Sequence, residues 1–211
     1  MKKWMYLVLF ALVSFVAKAQ DEGDWVIGGD FSIVSTEVKI KSGNESTLWD
    51  KEMSFKFLPK IYYFISDNVA LGAKIGYQHE KERNSHSTEE SIRYDKEGAF
   101  VFRPEMFYYV DLGKNFYYRP SVYIEIQTGK IKEETDSQTT DTYGHKTFGG
   151  GFVICAFEFK PVEKFGISFS CGNLAYSHYS REWNTDESQS QNRFGLEFNL
   201  EPTIGFSYYF K

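Results

Sequence analysis

The last stretch of the chain, Phe194 to Lys211, alternates with a period of two. Its even positions are Phe194, Leu196, Phe198, Leu200, Pro202, Ile204, Phe206, Tyr208 and Phe210, and its odd positions through Tyr209 are Gly, Glu, Asn, Glu, Thr, Gly, Ser and Tyr. Side chains alternate across a β-strand, so this pattern predicts a strand with one face against something apolar. Nine outward positions exceed what a globular strand needs, and a membrane-spanning barrel strand fits better.

The other end of the chain bears on the compartment. Lys2 and Lys3 precede an apolar run from Met5 to Val16, interrupted only by Ser14, and Ala17-Lys18-Ala19 offers a small-x-small cleavage site. Residues 1–19 therefore read as a secretory signal peptide, short of the roughly 20 apolar residues that a membrane anchor requires. The mature chain is expected to begin at Gln20 as a single barrel domain, 20–211, and no Cys follows the cleavage site to carry a lipid anchor. Removing Lys2, Lys3 and Lys18 takes the formal charge from −5 to −8, which gives no electrostatic reason to bind nucleic acid. Mean hydropathy is −0.43, yet alternating strands average to such a value even when one face meets lipid. The 18% aromatic content suits lipid-facing girdles better than a globular core.

Between these ends the chain reads as strands throughout. The expected strands are Trp25 to about Ile40, Lys51 to Ile65, Ala70 to His79, Gly98 to Val110, Phe116 to Gln127, His145 to Lys160, Phe165 to Tyr179, and the C-terminal segment, eight in all. Val153, Cys155, Phe157 and Phe159 share the expected outward face of the sixth. Polar loops fall near 41–46, 80–97, 129–144 and 181–191, and tight turns near 66–68, 111–115 and 161–164. Long and short connections alternate, as in an eight-stranded antiparallel up-and-down transmembrane β-barrel with long loops outside and short turns in the periplasm. A lipocalin-like barrel or β-sandwich would bury the apolar face instead, and has no use for so many charges on the other.

If the apolar face meets lipid, the polar face fills the lumen. Lys56, Lys74, Arg103, Arg119 and Arg193 then face Glu105, Glu125, Glu158, Glu197 and Glu201, five cations against five anions. An eight-stranded barrel is only wide enough for side chains, and buried charges must pair. The expectation is a self-neutralised structural network, with Arg103 and Arg119 against Glu105 and Arg193 against Glu197, rather than a passive channel, which would show an excess of one sign.

Cys155 and Cys171 share the outward parity of adjacent strands. A three-residue turn centred near Glu163 would set them opposite each other for a cross-strand disulfide, and a one-residue change of register would leave two reduced lipid-facing thiols. His79, His86, His145 and His178 fall toward the loop end, and His178 with Ser180 and Glu182 or Glu187 has the composition of an ester-hydrolase set, without a nucleophile motif around Ser180; that parity aims His178 at the lumen. No metal-ligand spacing recurs, and no cofactor motif is present. The loops are hydrophilic and mixed in charge, which suits a soluble outer surface more than a specific adhesin; Trp49 and Trp183 at their margins suit interface anchors.

The hairpin Phe57-Leu58-Pro59-Lys60-Ile61-Tyr62-Tyr63-Phe64-Ile65-Ser66-Asp67-Asn68-Val69-Ala70-Leu71-Gly72 resembles the P-x-x-G-Y-F-x-x-D-N-L-A-L-G hairpin of the small outer-membrane β-barrel family, OmpA-like and OmpX-like. Tyr62 stands where that family carries Gly, which implies a more crowded interior. The terminal Ile204, Phe206, Tyr208 and Phe210 are similar to the aromatic signal read by the barrel-assembly machinery. The resemblance implies a bacterial outer-membrane location, lipid and that machinery as partners, and an extracellular partner left unspecified. It covers structural proteins, adhesins, small pores and a few lipid enzymes, so it does not choose among them. The expectation is a non-enzymatic structural or surface-interaction protein, with a small channel or a lipid-modifying hydrolase as alternatives.

Overall fold

A computed structural model describes residues 22–42, 45–84, 93–135, 138–183 and 188–211. The strands are β1 (Trp25–Ser42), β2 (Glu45–Ser66), β3 (Val69–Asn84), β4 (Arg93–Tyr108, resuming at Val110–Asp111), β5 (Phe116–Tyr118, resuming at Ser121–Thr135), β6 (Gln138–Val162), β7 (Phe165–Trp183) and β8 (Ser188–Phe210). Each pairs antiparallel with its sequence neighbours. β8 returns to β1, with Phe210 opposite Trp25 and Ile204 opposite Phe31, so eight strands close into a ring. Closure leaves no sheet edge among them.

The outer wall is apolar where the strands cross its middle. Ile27, Ile33, Phe57, Ile61, Leu71, Ile75, Phe100, Ile124, Ile126, Phe152, Ile167 and Phe206 are all exposed. A belt of this extent is untenable against water and suits the hydrocarbon of a bilayer. Aromatic rings collect at the turn end, where Trp25 lies 4.9 Å from Tyr63 and Phe165 stacks on Phe206.

The segments expected to be long polar loops are mostly strand. β3 runs to Asn84 and β4 starts at Arg93; β5 runs to Thr135 and β6 starts at Gln138; β7 runs to Trp183 and β8 starts at Ser188. None of those segments contains proline, and the ladder is a backbone property that polar side chains do not end. The wall there is charged: Lys51 meets Glu37 at 2.9 Å, and Lys96 and Lys81 meet Glu134 at 2.6 and 3.7 Å. The tight turns are shorter than expected, as β2 meets β3 across Asp67 and Asn68 and β6 meets β7 across Glu163 and Lys164. The turn after β4 uses left-handed backbone at Gly113, Lys114 and Asn115, and Asp111 Oδ1 accepts from Gly113 N at 2.6 Å.

On β6 one residue takes the face opposite to the expected one. Val153 points inward and lines the lumen, while Phe152 and Ile154 are 57% and 41% exposed on the wall. The register of β6 against β7 shifts on both sides of Cys155, and a bulge exchanges inside for outside. Below it the expected parity returns, with Phe159 out and Glu158 in. β8 is irregular against β7 between Phe198 and Thr203, at the same height. Cys155 and Cys171 form a disulfide here with Cα atoms 5.4 Å apart, although Cys155 pairs formally with Gly172.

Gly28 sits at the seam, where an added Cβ would strike the backbone carbonyl of Phe206 on β8. A backbone oxygen does not yield as a side chain does, so Gly28→Ala is expected to cost about 1–3 kcal/mol and weaken β1–β8 closure. Gly195, with nothing near its Cβ position, tolerates the same change. Urea titration in lipid vesicles, with heat-modifiable gel migration as the reporter of closure, should separate the two; equal stability would contradict the seam geometry.

Candidate functional site

The candidate site is the lumen, and it has three levels. The level nearest the turns is aromatic. Val26, Tyr62, Phe64, Ala70, Phe107, Tyr109, Tyr117 and Tyr209 form one buried cluster. Phe107 packs edge-on against Tyr62 at 4.8 Å and Tyr109 at 5.2 Å, and Tyr117 lies edge-on to Tyr109 at 5.6 Å. Lys160 caps this level, its Nζ 3.8 Å from the Tyr209 ring centroid and 4.9 Å from that of Tyr117. The expected polar lumen is therefore closed at its turn end by rings, because the inward positions of β2, β4, β5 and β8 nearest the turns are Tyr or Phe.

The middle level is ionic. Asp30 accepts from Lys60 and Lys74, each at 2.7 Å. Lys74 also reaches Glu105 at 2.8 Å, and Tyr62 donates to the same carboxylate at 3.2 Å. Arg103 meets Glu125 at 3.3 Å and Glu105 at 3.8 Å, and Lys56 meets Glu125 at 3.8 Å. Arg119 pairs with the fully buried Glu158 at 3.2 Å. Tyr109 donates to that carboxylate at 2.7 Å, and Tyr209 donates to its other oxygen. A cavity of about 70 Å³ lies among Asp30, Lys74, Arg103, Glu105, Arg119 and Ser121, room for a handful of water molecules rather than a conduit.

Among the site residues expected from sequence, Lys56, Lys74, Arg103, Glu105, Arg119, Glu125 and Glu158 meet in this level. Arg103 reaches Glu105 as expected, at 3.8 Å, but Arg119 pairs with Glu158 where Glu105 is expected, and the nearest cation to Glu105 is Lys74. Arg193 stands above, on the exposed wall of the loop-end lumen. The side chains of Glu197 and Glu201 lie outside the described residues, as do those of Trp49, Trp183, His86 and Glu187. Asp30 and Lys60 complete the level, beyond the five cations and five anions expected from sequence. Their inward parity on β1 and β2 was the signal that could have found them. Ile204, Phe206, Tyr208 and Phe210 all face outward beside β1.

The upper level lies above the apolar belt. His145 is buried, stacks on Tyr179 with centroids 5.8 Å apart, and places Nε2 3.1 Å from Glu97. Glu80 stands directly across from Glu97 in the ladder. Burial raises the Glu80 carboxyl to about 7, and the carboxylates of Glu97 and Glu52 add to the rise. His178 faces outward, contrary to its expected lumen parity, because the strand slips at Cys171 and Gly172. Its Nδ1 lies 2.8 Å from Asn192 Oδ1, and Ser180 donates to the Lys146 carbonyl at 3.4 Å, so the two do not form a nucleophile–base pair.

Two outcomes are expected. Glu158→Gln strands a buried guanidinium and should cost about 3–5 kcal/mol, whereas Lys51→Ala, at an exposed pair, should cost less than about 1 kcal/mol in the same urea titration. The Glu80 carboxyl binds its proton more tightly in the folded chain than its ordinary 4.5. Its contribution to stability is thus complete below pH 4.5 and lost as pH rises through about 7, and Glu80→Gln should remove that slope. A carboxyl resonance titrating near 4.5 would contradict this.

The sequence matches the family described as Outer membrane protein beta-barrel domain over residues 5–210. No curated protein matches the chain. Among solved structures it is similar to the outer membrane protein OprG from Pseudomonas aeruginosa, at 12% identity and a TM-score of 0.41, covering 90% of this chain and 97% of that one. It is similar to Ail, the attachment invasion locus protein of Yersinia pestis, at 13% identity and a TM-score of 0.35, covering 90% and 99%. Neisserial surface protein A is similar at 11% identity and a TM-score of 0.37, covering 90% and 98%. With the family match spanning nearly the whole ring of strands, this chain belongs to the outer membrane protein β-barrel domain family.

Proposed function

We propose that the chain is a closed, non-enzymatic integral barrel of the bacterial outer membrane with a structural or surface-interaction role. It is exported behind a cleaved signal peptide at residues 1–19 and inserted by the barrel-assembly machinery, which reads Ile204, Phe206, Tyr208 and Phe210. The observation that carries the reading is the double obstruction of the lumen. Rings of Tyr62, Phe107, Tyr109 and Tyr209 fill its turn end, and the Asp30–Lys74–Glu105 and Arg119–Glu158 pairs cross-link its middle. A channel needs a continuous wet path, and charges already bonded to one another are poor partners for a passing ion. What remains for a partner is the exterior: lipid around the belt, and the polar strand extensions and hairpins beyond it. The outward, separately bonded His178 and Ser180 agree with a non-catalytic role.

Planar-bilayer recording tests the reading. The unaltered protein is expected to give no steady unitary conductance, while combined Tyr62→Ala, Tyr109→Ala and Tyr209→Ala, with barrel formation verified by gel migration, should raise leak. A stable, voltage-insensitive conductance from the unaltered barrel would overturn the closed-lumen reading and favour a small channel.

A further inference from the structure

Above the apolar belt the wall of β3, β4 and β5 sorts its charges by face. Lys81, Lys96 and Lys132 stand directly opposite one another on a single outward rung. The inward rungs on either side of it are Glu80–Glu97–Ile131 and Glu82–Asp95–Glu133. One outward rung nearer the belt, the exposed Lys130 stands between Gly98 and Gly144, where the wall is shallow. Like charges directly opposite one another on a sheet repel, so water alone gives three lysines no reason to share a rung. Glu134 is the one acid among the described side chains of this face, 2.6 Å from Lys96 and 3.7 Å from Lys81. Register adds two more charged positions, Arg83 opposite Tyr94 and Asp141 opposite Lys132, one of each sign, with side chains outside the described residues. On β7 and β8 the outward rungs above the belt are His178–Asn192, Ser180–Ser190 and Glu182–Ser188, without a lysine or arginine.

We propose that this sector of β3, β4 and β5 binds the phosphate of an outer-leaflet lipid headgroup; the proposal rests on the outer-membrane reading above and names the lipid chemistry it contacts. Height in the bilayer decides the source of the phosphate. Tyr77–Phe100–Thr128 is the outward rung below Lys130, and Ile75–Phe102–Ile126 the rung below that. The lysines therefore begin roughly 7 Å along the strand from rings at the edge of the hydrocarbon, within the headgroup layer that a lysine stem lying on the wall can reach. What attracts the phosphate is the excess of charge on the face, four lysines to one glutamate among the described side chains, and not a lysine without a partner. Glu134 and the Tyr94 ring, whose centroid is 4.0 Å from Lys81 Nζ, hold the ammonium groups from the loop side. An exposed pair such as Lys96–Glu134 is weak enough to share its cation with a second anion. The acids of the inward rungs face the lumen, with the wall between them and the lipid, and Glu97 lies 3.1 Å from His145 Nε2 there.

The test uses the whole barrel in phosphatidylcholine nanodiscs doped with a diphosphorylated glycolipid or with its dephosphorylated counterpart bearing the same acyl chains. Native mass spectrometry counts the retained lipid and amide NMR locates it. The phosphorylated lipid should be retained at least roughly tenfold more strongly, and should shift the amides of Gly98 and Lys130 but not those of Ser180 and Ser190. Combined Lys96→Gln, Lys130→Gln and Lys132→Gln should lower that retention by roughly tenfold or more, whereas Lys51→Gln, at the exposed pair with Glu37 outside the sector, should change it less than about twofold. Equal retention of the two lipids, shifts spread evenly around the ring, unchanged retention in the triple variant, or equal affinity for inorganic phosphate in solution would overturn the proposal. Gel migration and conductance are followed on the same samples. An intact, non-conducting barrel that retains neither lipid removes the headgroup site and keeps the closed-barrel reading, whereas a conducting barrel that favours the phosphorylated lipid keeps the site and removes that reading.

Discussion

Everything in this fold depends on where charge is allowed to go. An apolar outer wall sends the alternate residues of every strand into an interior only wide enough for side chains. A charge placed there loses its water and has to recover the interaction from its neighbours. Asp30 shows how far this is taken: one carboxylate holds an ammonium on β2 with one oxygen and an ammonium on β3 with the other. Because Lys74 then reaches on to Glu105 on β4, a single chain of charges ties four consecutive strands across the lumen. Arg119 and Glu158 do the same between β5 and β6. The network is better understood as the condition for having an apolar exterior than as an independent source of stability, since buried ion pairs only roughly repay their desolvation.

The same logic explains why the lumen changes character along its axis. Next to the turns the barrel is filled by rings, whose hydroxyls point up into the ionic level: Tyr109 and Tyr209 both donate to Glu158, and Tyr62 donates to Glu105. Each ring therefore fills volume with its apolar body and satisfies a carboxylate with its tip. Lys160 makes the complementary contact, a cation over ring faces. Toward the loops the filling thins to His145 stacked on Tyr179, and beside them the small side chains of Ser177 and Thr147 leave the lumen wider.

Much of the architecture was legible because a period of two is hard to counterfeit over eight strands. The ring order, the belt and the inward Lys74, Arg103, Glu105, Arg119 and Glu158 all follow from parity and turn residues. What parity does not reveal is a change of parity. The bulge at Cys155 and the slip at Cys171–Gly172 exchange inside for outside over the upper halves of β6 and β7. Val153 and His178 take the face opposite to their simple parity for that reason alone. Strand length was misread for a different cause: polarity marks where the wall leaves an apolar solvent, whereas the ladder ends only where the backbone turns. Individual ion pairs were out of reach, because a carboxylate on β4 such as Glu105 has cations within reach on its own strand and the next, and rotamers decide among them.

The slip on β6 and β7 also bears on function. Had the parity of the lower strands continued upward, His178, Ser180 and Glu182 would line the lumen and Ser177, Tyr179 and Arg181 would face outward. With the slip, the inward rungs instead carry His145, Tyr179 and Arg181, which stack and hydrogen-bond into a fixed wall beside Arg193. The disulfide between Cys155 and Cys171 sits where the two parities meet and joins the strands across the point at which their ladder is broken. A covalent tie there restrains the bulge against sliding by one residue, a motion that would otherwise exchange the two faces above it. The irregularity is thus the feature that allows one pair of strands to present a closed, ion-paired interior below and a polar, open one above.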